Sequence, residues 1–160
     1  MNKNFFSLLL LFSALSGCAS APNYNYQSQN STDPDITFGD RSWGDSTAMR
    51  AFKINTSART SNLCKDYFLV GHVLKNQFST KPPIHIKTPF GKSVAIYGYY
   101  LNHPVSCEPP ILMFTPKDGS SYTVDIETTL KTCAVSIYEK LPSGQLNKVN
   151  EMSIVPSCND

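Results

Sequence analysis

Few side chains in this 160-residue sequence could perform chemistry, and they are scattered along it. The histidines His72, His85 and His103 show no i, i+2 or i, i+4 pairing, which would place two metal ligands on one face of a strand or helix. His72 lies in an apolar run and is interpreted as a structural histidine, His85 as solvent-facing and His103 as a loop residue. The sequence has no Gly-x-Ser-x-Gly elbow and no phosphate-binding glycine loop. We therefore predict no metal site, no cofactor and no enzymatic activity.

One pair of carboxylates is close enough in sequence to act together. Asp125 and Glu127 are two positions apart in an alternating run, which places them on one face of a strand, about 7 Å apart at the backbone. Tyr122, Val124 and Ile126 have the opposite phase and are predicted to face the core. We therefore expect Asp125 and Glu127 to lie on a solvated face and not in a catalytic pair.

Cys18 differs from the other cysteines because of the segment before it. A basic start at Lys3 leads into a mainly apolar run, residues 5–15, which is too short to cross a bilayer as a helix and suits a signal peptide. The run ends in Leu15-Ser16-Gly17-Cys18, which resembles the lipobox of bacterial lipoproteins.

This resemblance implies a membrane address. Residues 1–17 would be a signal peptide, cleavage would expose Cys18, and acyl chains would be attached to its thiol and to its new amino group. Ala19 follows, and not the aspartate that favours inner-membrane retention, so the resemblance implies the outer membrane. The lipid would then be the attachment of the chain to that membrane, with the domain in the periplasm or at the cell surface.

The other four cysteines are Cys64, Cys107, Cys133 and Cys158. An even number of cysteines in an oxidising compartment predicts two disulfides. The alternatives are buried free thiols and a zinc site, and the lack of any Cys-x-x-Cys pair argues against zinc.

The composition argues against nucleic acid as a partner, and the length limits the number of domains. The chain has 14 basic and 12 acidic residues, a formal net charge of +2, and no cluster of lysine and arginine, so it is not predicted to bind nucleic acid. The part after the signal peptide is long enough for one domain with a core and not for two. No second stretch reaches the roughly 18 apolar residues that a membrane helix needs.

Residues 18–45 are predicted to be the lipidated cysteine and a flexible tether. They are rich in Asn, Ser, Gln and Asp and show no apolar periodicity. The part from Ala19 to about Thr37 would have a root-mean-square reach on the order of 25 Å. Phe38 and Trp43 lie where tether and domain meet, and Trp43 is expected to cover the edge of the core, a partner contact being the alternative.

From residue 63 onward the pattern is typical of successive short strands. Apolar runs, several of them alternating, are separated by prolines and turn sequences. The predicted strands span residues 67–74, 84–88, 93–101, 111–115, 121–127, 132–141, 146–149 and 154–155. Strands 111–115 and 121–127 flank a turn sequence and are predicted to pair as a hairpin. Gly98 predicts a bulge or a close-packing point, and residues 47–54 could form a turn or two of helix.

These elements predict an all-β domain over residues 46–160. We expect an immunoglobulin-like or transthyretin-like β-sandwich of about seven short strands, with a small barrel as the alternative. Cys133 is in phase with the apolar residues of its strand, so a Cys107–Cys133 disulfide would join neighbouring strands or sheets. Cys64–Cys158 would then fasten the start of the domain to its end.

Tyr97, Tyr99 and Tyr100 form the first candidate binding surface, because tyrosine is enriched at protein interfaces. On a strand, Tyr97 and Tyr99 share one face and Tyr100 takes the other. We therefore expect at least one of these faces to belong to the core.

Asp118, Gly119 and Tyr122 form the second candidate surface. The stretch from Phe114 to Tyr122, framed by two cysteines, resembles a pattern in small uncharacterised Gram-negative β-sandwich lipoproteins, and this implies no particular activity. Gly119-x-x-Tyr122 is also similar to the loop of periplasmic lysozyme inhibitors of the membrane-bound C-type class. In that family a serine precedes the glycine, whereas here Asp118 does, and the rest of the family's pattern is missing.

The sequence thus predicts a lipid-anchored binding or accessory protein of an envelope complex, which acts without catalysis on a protein partner. The first alternative is a lysozyme inhibitor that uses the segment from Gly119 to Tyr122. The second is a minor hydrolase whose histidines and acidic residues would be gathered by the fold.

Overall fold

The computed structural model describes residues 22–39, 48–56, 67–76, 79–80, 83–102, 105–128 and 132–155. The ordered elements in these ranges are strands and not helices. They are β1 (Asp35–Phe38), β2 (Ala48–Asn55), β3 (Phe68–Asn76), β4 (Ser79–Thr80), β5 (Ile84–Lys87), β6 (Val94–Asn102), β7 (Val105–Cys107), β8 (Ile111–Phe114), β9 (Ser121–Thr128), β10 (Cys133–Lys140), β11 (Leu146–Lys148) and β12 (Ser153–Val155).

The strands form two sheets. The smaller sheet has the order β11-β10-β9-β1-β5, in which β1 and β9 are parallel and the other pairs antiparallel. The larger sheet has the order β12-β8-β6-β2-β3-β4, and β7 also pairs with β6. The predicted all-β class is therefore confirmed. The described residues contain twelve strands, more than the eight strand ranges predicted, partly because residues assigned to the tether and to a helix are strands.

One core lies between the two sheets. The alternation predicted for β9 places Tyr122, Val124 and Ile126 in it, and β1 adds Ile36 and Phe38. The larger sheet contributes a matching set of buried side chains, namely Phe52, Ile54, Val94, Ile96, Leu112 and Phe114. Burying an apolar side chain of this size contributes about 1.5–3 kcal/mol, so these positions carry most of the favourable free energy of folding.

Gly98 is a close-packing point, one of the two alternatives predicted for it. A Cβ atom at this position would lie 2.8 Å from Cδ1 of Ile126 and 3.2 Å from Cγ2 of Val135, both in the opposite sheet. The pairing of Gly98 with Phe52 is regular, so it is not a bulge. The missing side chain lets the two sheets approach each other here.

Strands β7 and β8 lie end to end along the same edge of β6. Cys107 pairs with Tyr100, and Leu112 pairs with Ile96. Pro109 and Pro110 separate the two strands, and because proline has no N–H group it cannot donate to the ladder. One long β-strand is thus interrupted by two prolines.

Two predictions of local structure are wrong. Residues 48–55 form strand β2 and not a helix. Strands β8 and β9 do not form a hairpin, because β8 pairs with β6 and β12, whereas β9 pairs with β10 and β1. The turn between them carries the chain from one sheet to the other, and the rings of Phe114 and Tyr122 meet at 5.2 Å instead of lying side by side in one sheet.

The predicted tether is also too long. Residues 22–39 belong to the domain, and β1 is a central strand between β9 and β5. Ile36 and Phe38 are fully buried, so Phe38 belongs to the core and not to its margin. β1 has only four residues, which are too few for a sequence pattern to reveal. Trp43 lies outside the described residues.

The Cys107–Cys133 disulfide is confirmed, with Cα atoms 6.3 Å apart. It joins β7 of the larger sheet to β10 of the smaller one. Cys64 and Cys158 lie outside the described residues, so their pairing stays a prediction.

Candidate binding face

The tyrosines of β6 divide between the two faces of the larger sheet. Tyr100 has the phase of Ile96 and is buried in the core, whereas Tyr97 and Tyr99 point outward and are partly exposed. Their division between two faces is as predicted. Tyr100 is wrongly included in the candidate binding surface.

The outward side of the larger sheet carries a second apolar cluster, which we call the tyrosine face. Ala95 and Ile111 lie fully buried at its centre. The partly buried residues packed against them are Tyr67, Tyr97, Met113 and Val155. Tyr99 has the same phase as Tyr97, and we include it in the face.

The smaller sheet differs on its outward side. The positions that alternate with its core residues are polar, namely Asp35, Thr37, His85, Lys87, Thr123 and Ser136. Asp35 and His85 on this side are exposed to water, whereas Thr123, Asp125 and Ser136 in the middle of the sheet are buried. The tyrosine face is instead largely apolar and aromatic, which makes it the candidate binding face.

The phenols of Tyr67 and Tyr97 are partly withdrawn from solvent. The rings of Tyr67 and Tyr97 lie 6.1 Å apart, and Nζ of Lys53 lies 5.4 Å from the centroid of Tyr97. Burial raises the pKa of Tyr67 to about 12. Burial, together with the carboxylate of Glu108, raises the pKa of Tyr97 to about 12. Both phenols are therefore neutral hydrogen-bond donors at neutral pH.

The second predicted surface is divided between solvent and core. Asp118 and Gly119 are exposed in the turn after β8, where Gly119 has φ +65°. Tyr122 is buried, and its hydroxyl accepts a hydrogen bond of 2.9 Å from the backbone N–H of Lys117. Tyr122 supports the turn from inside, so its predicted place on a binding surface is wrong. The turn also contacts the N-terminal residues, since the N–H of Gly119 donates to the carbonyl of Thr32 at 2.8 Å.

Asp125 is not on a solvated face. It is buried and forms an ion pair with Arg50, and the two side chains are 3% and 8% exposed. One Asp125 oxygen also accepts a 2.8 Å hydrogen bond from the N–H of Ile126, and the Arg50 guanidinium lies 5.7 Å from the ring of Tyr100. The pair joins β2 of the larger sheet to β9 of the smaller one. Glu127 is exposed, as predicted, and accepts a hydrogen bond from the hydroxyl of Tyr138.

Burial makes the charged form of Arg50 less favourable, but the side chain keeps its charge at neutral pH. Burial lowers the pKa of Arg50 to about 10, and the negative charge of Asp125 opposes this shift. Arg50 is therefore charged at neutral pH. One sequence signal could have revealed the pair, since Arg50 has the same phase as Phe52 and Ile54 once residues 48–55 are recognised as a strand.

The described histidines are not gathered into a site. His85 is exposed, as predicted, with Nδ1 3.0 Å from Oγ1 of Thr37. His72 is exposed as well and is not a buried structural residue. Within the described ranges, no three His, Cys, Asp or Glu side chains are placed to hold a metal ion. The same ranges contain no helix long and apolar enough to cross a membrane. His103 lies outside them.

Residues 22–34, which we call the N-terminal strap, close one open side of the sandwich. The N–H of Leu69 in β3 donates to the carbonyl of Pro22, and the N–H of Tyr24 donates to the carbonyl of Leu69, both at 2.8 Å. The Tyr24 hydroxyl then donates to the carbonyl of Lys87 in β5 at 2.9 Å. The strap thereby connects the edge of the larger sheet to the edge of the smaller one.

Asp33 holds the end of the strap. It is 1% exposed. Its carboxylate accepts hydrogen bonds from the hydroxyls of Tyr26 and Ser28 and from the N–H groups of Gln29, Asn30 and Phe90, at 2.9 to 3.3 Å. Burial opposes ionisation of Asp33, but these hydrogen bonds outweigh it and lower the pKa of Asp33 to about 2.

We expect the strap to lose stability in acid. A carboxylate whose pKa is depressed in the folded state stabilises that state above its unfolded pKa, here 3.8, and this stabilisation is lost as pH falls through about 2. The unfolding midpoint in urea should therefore differ between wild type and Asp33→Asn above pH 3.8, and the difference should shrink towards about pH 2. A difference that stays constant over this range would contradict the role given to Asp33.

Comparison of the sequence with models of protein families and with curated proteins gives no match. The assignment of a function therefore depends on the sequence features and on the geometry described above.

Proposed function

We propose that this chain is an outer-membrane lipoprotein, anchored through acylated Cys18, whose domain binds a protein of the bacterial envelope as an accessory component without catalysis. The segment Leu15-Ser16-Gly17-Cys18 supports the anchor. The Cys107–Cys133 disulfide fits the oxidising compartment to which such an anchor leads. The domain would lie in the periplasm or at the cell surface.

The observation that carries the binding role is the tyrosine face. An outward sheet face with Ala95 and Ile111 at its centre and tyrosines around them has the composition of a protein interface, where aromatic residues are enriched and charged residues depleted at the core. Tyr99 is the best single probe, because it is partly exposed and lies next to Tyr97 on the same face.

We further propose the finer features of the fold. The two sheets support an immunoglobulin-like or transthyretin-like sandwich. A second disulfide between Cys64 and Cys158 is proposed from the even number of cysteines, and the resemblance to small Gram-negative β-sandwich lipoproteins agrees with both features.

The alternative, a lysozyme inhibitor that uses the segment from Gly119 to Tyr122, has less support. Asp118 and Gly119 are exposed and available to a partner, but Tyr122 is buried. An inhibitor would therefore have to act through the tip of this turn alone.

The test is a pull-down of the lipidated protein from crosslinked envelopes. We expect one stoichiometric envelope protein, which is lost with Cys18→Ser and reduced several-fold with Tyr99→Ala. Tyr138→Ala is the matched control, because Tyr138 is a partly buried tyrosine on the outward side of the smaller sheet. Equal recovery with Tyr99→Ala and wild type would exclude the tyrosine face, and recovery of a lysozyme alone would favour the inhibitor.

A further inference from the structure

The strap limits how far the domain can lie from its proposed anchor. Backbone pairing with Leu69 begins at Pro22, only four positions after Cys18. Four residues span at most about 14 Å, whatever conformation residues 19–21 adopt. The inference below depends on the proposed lipidation of Cys18. Given that anchor, the domain is held at the membrane surface and does not move on a long tether.

The direction of the strap decides which end of the sandwich faces the membrane. Asn23 forms a parallel bridge with Leu69, so the chain enters at Pro22 from the end of the larger sheet where β3 begins. At that end, Phe68 pairs with Ile54 and Ile54 pairs with Ile96, close to the start of β6. The turn from β5 into β6, residues 88–93, therefore lies at the same end as the anchor.

This turn presents an exposed aromatic side chain beside a lysine. Phe90 is 54% exposed although Thr88, two positions earlier, is fully buried. The N–H of Phe90 is fixed by the buried carboxylate of Asp33. Gly91 has φ +67°, and Lys92 is exposed. The turn is thus held in place and directs an apolar ring away from the core.

We propose that the turn of residues 88–93 is a membrane contact, with the Phe90 ring in the interfacial region of the lipid and Lys92 near lipid phosphates. Aromatic side chains favour the boundary between headgroups and acyl chains, and lysine is attracted to anionic headgroups. We propose lipid and not a protein as the partner of this turn, because the short distance between Cys18 and Pro22 keeps the turn close to the membrane. The Cys107–Cys133 disulfide, in strands β7 and β10, marks the opposite end, which faces away from the membrane.

The test uses one tryptophan at a time in the full, lipidated protein. In a Trp43→Phe background, Phe90→Trp reports on the turn, and Ser106→Trp is the matched control, since Ser106 is exposed at the disulfide end. Both proteins are placed in vesicles of phosphatidylethanolamine and phosphatidylglycerol that contain a lipid brominated high on its acyl chain. We expect quenching of the Phe90→Trp fluorescence to be several-fold stronger than that of Ser106→Trp. A flexible insertion between Ala21 and Pro22 should reduce this difference.

Mass spectrometry of the same preparations separates the possible failures. If Cys18 carries no lipid, the proposed anchor and the membrane contact are both wrong. If Cys18 carries lipid and the two tryptophans are quenched equally, the membrane contact alone is wrong. Unchanged urea midpoints for the two tryptophan variants would show that neither result comes from unfolding.

Discussion

The Asp125→Asn variant is expected to lose about 3–5 kcal/mol of stability, which is typical when one partner of a buried ion pair is removed. The loss arises because the substitution breaks the ion pair between Arg50 and Asp125, both of which are buried. Asp125 raises the pKa of Arg50 against the effect of burial, so the variant also loses an interaction that favours the charged guanidinium. Urea unfolding of wild type and variant at neutral pH measures the difference. Since total stabilities are about 5–15 kcal/mol, this loss is a large fraction of the stability of the domain.

A double variant separates the cost of removing one charge of the pair from the contribution of the pair as a whole. Arg50→Met with Asp125→Leu removes both charges and keeps much of the side-chain volume. Buried pairs replaced in this way are often as stable as before. We therefore expect the double variant to be clearly more stable than Asp125→Asn. If both variants lose the same free energy, the pair contributes through packing and not through charge.

The strands with long alternating patterns could be predicted from sequence. Strands β9 and β10 were found close to their expected limits, because apolar residues recur at every second position in both. Strand β1 was missed because four residues are too few to show a period. Strand β2 was missed because Arg50, in its middle, has the inward phase that an apolar residue would normally take.

The pairing of strands could not be predicted in the same way. A period of two identifies the side of a strand that is buried, but it does not identify the sheet to which the strand belongs. For this reason β8 and β9 were expected to form a hairpin, although they lie in different sheets. The two candidate binding surfaces could also be predicted only in part from alternation. The division of Tyr97 and Tyr99 from Tyr100 follows from alternation alone, and so does the burial of Tyr122. The hydrogen bond from the N–H of Lys117 to the Tyr122 hydroxyl depends on how the chain passes between the two sheets, which alternation does not reveal.

Removing the Cys107–Cys133 disulfide is expected to cost about 3.5 kcal/mol by the loop-entropy estimate. The bond closes a loop between residues separated by 26 positions and joins the two sheets at one end of the sandwich. The variant Cys107→Ala with Cys133→Ala, compared with wild type under non-reducing conditions, measures this loss. The double replacement avoids leaving a single thiol that could pair with Cys64 or Cys158.

The slope of the unfolding transition identifies the origin of that loss. In the loop-entropy model the disulfide acts on the unfolded chain, so removing it leaves the native contacts in place and lets the unfolded chain expand. The dependence of the free energy of unfolding on urea should then become steeper while the midpoint falls, because an expanded chain exposes more surface. A lower midpoint with an unchanged slope would instead mean that the bond holds the two sheets in contact. In that case the disulfide end of the sandwich should also show faster amide exchange in β7 and β10 of the folded variant.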